Sequence, residues 1–273
     1  MPKHLTPVPL GTSPALADAD AAPPDWAPKG DALRDATDDC LKRLTKLQAS
    51  LHADGTRALL IVLQGRDASG KDGLIRKVFG AFNPQGTQVA SFGVPSEIEG
   101  RHDFLWRVHT AVPPRGAVGI FNRSHYESVL VERVRGLAAP SVWRRRYAHI
   151  NALEQMLSDE GTVIAKFCLH VSREEQRRRL VERVEDPDKN WKFREGDLDD
   201  RALWGEYTAA YQDALALCST AWAPWYVVPA DDKKMRDWLV ADALVRTLER
   251  IDLRPPMADK ESLEKWRTRL ASA

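Results

Sequence analysis

The chain has 273 residues, a formal net charge of +1 and 29% charged residues. This length supports one large core, and the near-neutral balance argues against a nucleic-acid-binding protein. The three cysteines lie far apart without a disulfide pattern, and no apolar stretch approaches the roughly 20 residues of a membrane span. We therefore expect a cytoplasmic protein that binds neither nucleic acid nor membrane.

In chain order, the first predicted element is a Pro/Ala-rich N-terminal arm over residues 1–30, extended or partly disordered, which holds seven of the 17 prolines. Leucine spacing then predicts a helix over Asp31–His52. Apolar runs predict five strands, at Ala58–Gln64, Thr87–Phe92, Ala117–Asn122, Thr162–Val171 and Trp225–Pro229. Helical patterns cover Trp143–Asp159, Ser172–Val184, Asp199–Leu217 and Lys233–Arg250.

This alternation of strands and helices predicts an α/β fold of three layers, with a central five-stranded parallel sheet and helices on both faces. We expect the folded domain to cover residues 31–255 and to be followed by a C-terminal tail over residues 256–273.

The most informative stretch is the phosphate-loop signature Gly65–Gly73, which follows the first strand and leads into a helical segment at Leu74–Phe79. Its Gly-x-x-x-x-Gly-Lys spacing lets backbone N–H groups converge on phosphate oxygens, and the lysine adds a positive charge. A glycine-rich turn with an incidental lysine is the alternative, and the preceding strand argues against it. The residues assigned to phosphate binding are Gly65, Ala68, Ser69, Gly70, Lys71, Asp72 and Gly73, with Arg76 in the following helix.

Two carboxylates in this loop depart from the common motif. Asp72 follows the lysine, where most phosphate loops have a Ser or Thr that binds Mg²⁺, and Asp67 lies inside the loop. An anion-binding loop rarely carries acids unless a metal or an acceptor group requires them. We therefore expect Mg²⁺ at this site, with Asp67 as a ligand.

A second polar cluster, Asn122–Glu127, follows the third strand and should lie at the same edge of the sheet as the loop. Phosphate-loop enzymes usually hold Mg²⁺ here with an aspartate, and Asp67 could replace the charge that Asn122 lacks. The alternative is a helix cap, with Ser124 as cap residue and Glu127 three residues later; the two roles are compatible, and the position at the strand end favours the functional one. A role for His125 as a general acid or base is less favoured.

Two arginine-rich segments follow the third and fourth strands, between Arg123 and Arg146 and between Arg173 and Arg183. A charge run is usually a solvated helix face, but arginine clusters beside a phosphate loop favour a polyanion longer than one nucleotide. The second segment leads into Glu185–Phe193, and we predict a mobile lid at about residues 172–200 that excludes water during transfer.

With these motifs in place, the chain closely resembles the polyphosphate kinase 2 family over roughly residues 30–255. The matching segments are Gly65–Gly73, Asn83–Gly86, Phe121–Glu127, Gln176–Arg183, Asn190–Phe193 and Ala223–Trp225. The resemblance implies a thymidylate-kinase-like fold with a helical lid, Mg²⁺ as cofactor, and phosphate transfer between inorganic polyphosphate and nucleotides. It also implies a homo-oligomer, either a dimer or a tetramer.

Within that family the motifs look like the class III subgroup, which implies that both AMP and ADP are accepted and that ATP is formed. Guanine nucleotides are a further candidate. Glu127 stands where ADP-preferring members generally have Asn, so it is the candidate determinant of AMP use.

The motifs and the resemblance together assign the site residues. The catalytic residues are Asp67, Lys71, Asn122 and Arg123, and the Mg²⁺ ligands are Asp67 and Asn122. Besides the loop, the polyphosphate contacts are Arg76, Arg133, Arg177, Arg178 and Arg183. The nucleotide contacts are Asn83, Pro84, Tyr126 and Glu127.

Two other functions share part of this pattern. An ATP-dependent nucleoside monophosphate kinase would have a similar fold and lid, but the excess of arginine argues against it. A non-catalytic nucleotide-binding regulator or GTPase-like switch is less favoured because no Asn-Lys-x-Asp string occurs.

Overall fold

The computed structural model describes residues 4–272, so residues 1–3 of the predicted arm and residue 273 of the predicted tail lie outside the described residues. Its sheet has five strands in the order β2-β3-β1-β4-β5, and every neighbouring pair is parallel. The predicted five-stranded parallel sheet is therefore confirmed. The strands are β1 (Ala58–Gly65), β2 (Thr87–Ser91), β3 (Val118–Asn122), β4 (Thr162–His170) and β5 (Trp225–Pro229).

Helices cover both faces of the sheet, as predicted. They are α1 (Gly30–Asp54), α2 (Lys71–Val78), α3 (Trp106–His109), α4 (Val131–Val134), α5 (Pro140–Asp159), α6 (Arg173–Glu185), α7 (Gly196–Ala202), α8 (Trp204–Cys218), α9 (Lys233–Glu249) and α10 (Lys260–Ala271). Successive side chains of a strand point to opposite faces, so Leu59, Ile61 and Leu63 pack with α1, α2 and α9, whereas Leu60 and Val62 pack with α5 and α8.

The central strand β1 places the phosphate loop. All eight of its residues are buried, because helices cover the sheet on both faces. It pairs with β3 on one side and β4 on the other, so the chain leaves β1 where the strand order changes direction. Ligands of open α/β sheets bind at this position. The register pairs Leu63 with Asn122, which brings the end of β3 beside the loop.

The prediction of a single helix over Asp199–Leu217 is wrong. The structure has two helices here, α7 and α8, which are separated at Leu203. Gly205 in the first turn of α8 lowers the helix propensity at this point, so a break in the helix there costs little free energy. The short helices α3 and α4 and the C-terminal helix α10 were not predicted.

The arm described from residue 4 runs along the domain and is hydrogen-bonded to it. The Val8 amide donates to the Trp225 carbonyl at 2.8 Å, and the Asp231 amide donates to the Ala21 carbonyl at 3.1 Å. Leu16 and Ala21 are buried. At the other end of the chain, α10 has no buried residue. Within residues 4–272, no helix is long and apolar enough to cross a membrane.

Candidate active site

The loop between β1 and α2 has the backbone conformation of a phosphate cradle. Gly65, Ala68 and Gly70 have positive φ values of 155°, 61° and 96°. The α2 helix begins immediately afterwards at Lys71, and a helix N-terminus attracts anions through its free N–H groups. The Lys71 Nζ donates to the Gly65 carbonyl at 2.7 Å, and burial lowers the pKa of this ammonium group, with Arg123 adding to the decrease.

Two buried arginines support the loop from behind. Arg179 of α6 donates to the carbonyl oxygens of Ala68 at 3.0 Å and Ser69 at 3.3 Å. Arg236 of α9 donates to the Ser69 carbonyl at 3.4 Å, and a Cβ atom on Gly70 would lie 1.9 Å from its Nη1. Because both arginines donate to loop carbonyls, they orient the cradle without occupying its N–H groups, and they add positive charge behind it.

The loop is also held from the side of α8. The Arg66 guanidinium donates to Thr208 Oγ1 at 2.6 Å and to the Trp204 carbonyl at 3.2 Å. It stacks on the Trp204 ring at 3.8 Å. From α6, Gln176 Nε2 donates to the Asp67 carbonyl at 3.1 Å. Three separate elements, α6, α8 and α9, thus fix the loop.

Arg123 connects the loop to the cluster that follows β3. Its Nη2 lies 2.7 Å from Asp67 Oδ1, and its Nη1 lies 3.5 Å from Glu127 Oε2. The backbone of Arg123 has a φ of 61°, unusual for a residue with a side chain, which indicates that this orientation is imposed by its surroundings. Burial opposes the charge of Arg123, but Glu127 and Asp67 outweigh it and raise the pKa.

Glu127 is the acid at the centre of this arrangement. When the Gln64 amide is oriented to satisfy its neighbours, its nitrogen donates to Glu127 Oε1 at 3.0 Å and its oxygen accepts from Ser124. Burial raises the pKa of Glu127 above its ordinary value, whereas Arg123 and Lys71 lower it. Ser124 caps the following turn by accepting from the Tyr126 amide, so the predicted cap residue is confirmed, whereas Glu127 faces the cavity.

An open cavity lies between the loop and helices α4, α6, α7 and α8. Asp67, Arg123 and Glu127 face it together with Gly65 and Arg66. Three aromatic residues, Trp204, Tyr207 and Tyr211, form part of its wall, and Leu130, Val131, Gln176 and Asp200 complete it. A charged floor with an aromatic wall suits a ligand that combines phosphate groups with a flat apolar body.

The predicted Mg²⁺ ligand Asn122 lies at the loop, but its nearest carboxylate is Asp72. Asn122 Nδ2 donates to Asp72 Oδ1 at 2.9 Å, whereas Asp67 is paired with Arg123. Among residues 4–272 there is no cluster of three or more His, Cys, Asp or Glu side chains that could hold a metal alone. The amide and carboxylate oxygens fit Mg²⁺, which commonly takes one or two protein carboxylates and completes its shell with substrate phosphates and water.

Beneath the cluster lies a buried polar network that sequence reasoning missed. Lys166 of β4 and Glu154 of α5 form an ion pair in which both side chains are fully buried. Tyr126 donates to Glu154 Oε1 at 3.0 Å and accepts from Lys166 Nζ at 2.8 Å, and His125 Nε2 lies 3.2 Å from Glu154 Oε1. His125 and Tyr126 therefore anchor the turn that carries Arg123 and Glu127.

Several predicted site residues lie outside the cavity. Arg177 and Arg178 are exposed and pair with Glu174 and Glu175, and Arg76 is exposed on α2. Their contact with polyphosphate stays a prediction.

Arg133 and Arg183 are paired with acids of the domain. Arg133 binds Asp213 at 2.7 Å and stacks over Trp143, and Arg183 lies 3.2 Å from Asp197 of α7. Their role with polyphosphate is likewise untested.

The predicted nucleotide contacts are also separated. Asn83 and Pro84 form a short turn before β2, in which the Asn83 side chain accepts from the Gln85 amide. Tyr126 is buried in the network under the cluster, so Glu127 alone of these four lines the cavity.

A periodicity in the sequence could have identified the supporting residues on α6. Gln176, Arg179 and Arg183 fall at positions i, i+3 and i+7, with the buried Leu180 between them, which is the inward face of a helix. Arg177 and Arg178 fall on the opposite face. Arg236 carries no comparable signal, because its role depends on α9 passing behind the loop.

A parallel sheet that ends in an anion-binding loop at its switch point, with converging cationic and acidic side chains, defines a P-loop phosphotransferase. The family model of Polyphosphate kinase 2 (PPK2) matches residues 29–255, which is most of the chain. The chain belongs to the polyphosphate kinase 2 family, as the sequence motifs predicted, and is a polyphosphate-dependent nucleotide kinase.

Individual relatives agree with this assignment. The chain is 54% identical over 221 residues to the AMP/ADP-polyphosphate phosphotransferase of Meiothermus ruber, covering 81% of this chain and 83% of that protein. It is 44% identical over 228 residues to the ADP-polyphosphate phosphotransferase of Rhodopseudomonas palustris, covering 79% of each. The crystal structure of Polyphosphate Kinase 2 from Arthrobacter aurescens TC1 superposes with a TM-score of 0.92 at 39% identity, over 98% of this chain and 95% of that one.

Proposed function

We propose that this protein transfers a phosphoryl group from inorganic polyphosphate to AMP and to ADP, forming ADP and ATP, reversibly and with Mg²⁺. The observation that carries the proposal is Arg123, which bridges the loop carboxylate Asp67 and the buried Glu127 at the floor of one cavity. The similarity to a Meiothermus ruber enzyme named for both AMP and ADP supports the choice of acceptors.

The reaction joins two phosphates, so it needs positioning and charge neutralisation more than a strong base. The loop N–H groups would hold the phosphate, and Lys71 would exchange its contact with the Gly65 carbonyl for a phosphate oxygen. Arg123 lies where it can neutralise charge on both donor and acceptor. The carboxylate and amide oxygens at the loop would hold Mg²⁺, which would supply further charge neutralisation at the phosphates.

The aromatic wall of Trp204, Tyr207 and Tyr211 gives the nucleoside an apolar surface to pack on. The acid Glu127 stands at the phosphate end of the same cavity. We propose that it favours an acceptor with fewer negative charges, and that it therefore permits AMP.

One assay tests the function. The purified full chain is incubated with Mg²⁺ and either AMP or ADP, with polyphosphate or ATP as the donor. Formation of ATP from ADP, and of ADP and then ATP from AMP, with polyphosphate alone supports the proposal. Phosphorylation of AMP by ATP alone, or no turnover with either donor, would refute it.

A further inference from the structure

Residues 14–21 of the N-terminal arm cross the domain at the carboxyl end of β4, and we call this segment the strap. Leu16 anchors it, because this side chain is buried in the hydrophobic cluster that includes residues of α8. The φ of Leu16 is 52°, unusual for a residue with a side chain, which indicates that its contacts impose this conformation. At the last residue of β4, His170 Nε2 lies 2.8 Å from the Ala17 carbonyl oxygen. The strap is therefore both packed and hydrogen-bonded to the domain.

The strap contacts two of the regions that fix the phosphate loop, α8 and the segment before α9. From α8, Gln212 Nε2 donates to the carbonyl oxygens of Pro14 and Ala15, at 3.0 Å in each case. Before α9, the Asp231 amide donates to the Ala21 carbonyl at 3.1 Å. The strap thus connects elements that meet behind the loop.

The third contact of the strap is the start of α6. The Arg173 amide, in the first turn of this helix, donates to Asp18 Oδ1 at 3.1 Å. The Ser172 amide donates to Asp231 Oδ1 at 2.8 Å. First-turn N–H groups have no partner within their own helix, and a carboxylate beside them is also favoured by the helix dipole. Asp18 therefore helps to fix the position at which α6 begins.

Hydrogen bonds lead from the start of α6 to the phosphate loop. Arg201 of α7 donates to the Arg173 carbonyl at 2.7 Å and to Gln176 Oε1 at 2.9 Å. Gln176 in turn donates to the Asp67 carbonyl at 3.1 Å, and Arg179 donates to loop carbonyls from the next turn. Because Gln176 lies about one turn after Arg173, a displacement of the helix start reaches the loop over a short distance.

We propose that the strap is a positioning element of the transfer site. It holds the start of α6, and α6 then presents Gln176 and Arg179 to the carbonyls of the phosphate loop. Leu16 and Asp18 are its positioning residues. The strap precedes residue 29, where the match to the family model begins. The effect on turnover rests on the proposed function, whereas the effect on α6 and the loop does not.

The proposal is tested with three full-length variants, Leu16→Ala, Asp18→Ala and Asp18→Asn. An asparagine oxygen can accept the same hydrogen bond, and asparagine is about as good as aspartate beside first-turn amides, so Asp18→Asn is the conservative variant. Leu10→Ala and Asp25→Ala are the matched controls, because both residues are exposed parts of the same arm outside the strap. Thermal unfolding verifies that each variant is folded.

The first measurement is amide hydrogen exchange by mass spectrometry in the absence of substrates. Asp18→Ala should accelerate exchange in residues 172–180 and in the loop by roughly fivefold, as expected for the loss of an acceptor at a helix start. Leu16→Ala should do so at least as strongly, while Asp18→Asn and both controls should match the parent. Unchanged exchange in Leu16→Ala and Asp18→Ala would overturn the proposal. An acceleration spread evenly over the domain would also overturn it, because that pattern indicates general destabilisation.

The second measurement is the steady-state transfer from polyphosphate to ADP. Displacement of the loop should lower kcat by roughly 10- to 100-fold in Leu16→Ala and Asp18→Ala, with the KM for ADP changed less than about twofold. Asp18→Asn should retain the parent kcat. If the parent shows no transfer while the exchange pattern holds, the proposed function fails and the positioning of α6 stands. If the parent is active and both alanine variants keep its kcat, the positioning role alone fails.

Discussion

Arg236 occupies the space beside Gly70 that any side chain at position 70 would need. A Cβ atom on Gly70 would lie 1.9 Å from Arg236 Nη1, well inside contact distance. The Gly70 requirement of the loop therefore has two sources here, its φ of 96° and the guanidinium packed behind it. The conformation of the loop at Gly70 thus depends on the position of α9, which carries Arg236.

Gly70→Ala should destabilise the protein and disable the loop. The positive φ and the overlap with Arg236 should together lower the free energy of unfolding by about 1–3 kcal/mol. Displacing the loop by about 1 Å should lower turnover about 100-fold. Urea unfolding and the transfer assay measure the two effects.

Gly80→Ala is the matched control, because a Cβ there meets nothing within 4 Å and the residue does not have a positive φ. Its free energy of unfolding should stay within about 0.5 kcal/mol of the parent. Equal behaviour of the two alanine variants would contradict the role assigned to Arg236.

Lys166→Met should be strongly destabilising because it leaves Glu154 buried without its cation. Burial disfavours the Glu154 carboxylate, but Lys166 and His125 more than compensate and lower its pKa. Breaking a buried pair by removing one partner costs about 3–5 kcal/mol. Urea unfolding gives the free energy, and the transfer assay reports on the turn anchored by Tyr126.

The double variant Glu154→Gln/Lys166→Met removes the uncompensated charge and should recover a large part of that loss. Lys46→Met, at an exposed position of α1, should change the free energy of unfolding by no more than about 0.5 kcal/mol. A double variant that is less stable than Lys166→Met would show that the pair acts through its hydrogen bonds and not its charge balance.

These examples show which parts the sequence could predict. Runs such as Leu59–Leu63 are apolar throughout because the sheet is covered on both faces. Such a run lies within one short segment of sequence, so it predicts a buried strand without knowledge of the tertiary structure. The loop and the Asn122–Glu127 cluster were placed correctly relative to each other, because both follow strands whose carboxyl ends share one edge.

Contacts between distant elements could not be predicted in the same way. Lys166 lies inside an apolar run, and its partner Glu154 lies on a helix with no signal of a buried charge. The count of arginines on α6 emphasised Arg177 and Arg178, whereas the arginine that donates to loop carbonyls is Arg179. Which face of a helix meets the loop depends on tertiary packing, which a count of charges does not contain.

Glu175→Gln should lower stability at neutral pH and not in acid. Hydrogen bonds from Arg178, together with Arg179, lower the pKa of Glu175 from 4.5 to about 2. Because the folded-state pKa lies below the unfolded one, the stabilisation is present above about pH 4.5 and is lost as the pH falls towards 2. The variant should lose about 1–2 kcal/mol at pH 7, allowing for solvent screening, and the difference from the parent should shrink from about pH 5 downward.

Glu174→Gln is the control for this measurement, because Glu174 pairs with Arg177 on the exposed face of the same helix. Arg177 also lowers the pKa of Glu174, but solvent screens this exposed pair, so the unfolding midpoint of the control in urea should shift far less than that of Glu175→Gln. A constant difference between Glu175→Gln and the parent from pH 7 to pH 3 would exclude the assigned ion pairs as its cause.

Asp67→Asn should abolish transfer with only a modest loss of stability. The substitution removes the charge that holds Arg123 Nη2 at 2.7 Å, so the guanidinium is no longer fixed over the cavity. Loss of a group that positions transition-state charge costs about 100- to 1,000-fold in turnover. Single-turnover transfer from polyphosphate to ADP measures the effect, and thermal unfolding verifies the fold.

Comparison with Arg123→Lys isolates the reason for the loss. Lysine keeps the charge but cannot make the two-pronged contact to Asp67 and Glu127. If Asp67 acts by orienting Arg123, the two variants and their combination should have similar turnover, because each breaks the same unit. Near-normal turnover of Asp67→Asn would refute its role in the reaction.

Glu127→Asn should reduce the use of AMP more than the use of ADP. Glu127 presents a carboxylate to the cavity, and this charge repels the additional phosphate of ADP more than it repels AMP. Its removal should lower the ratio of kcat/KM for AMP to that for ADP about tenfold, equivalent to about 1.4 kcal/mol. Initial rates with polyphosphate as donor and each nucleotide as acceptor give the ratio.

Glu127→Gln keeps the length of the side chain and removes its charge, so a similar shift in that variant assigns the preference to charge. An equal loss with both acceptors would exclude Glu127 as the determinant and leave the aromatic wall as the remaining source of selectivity.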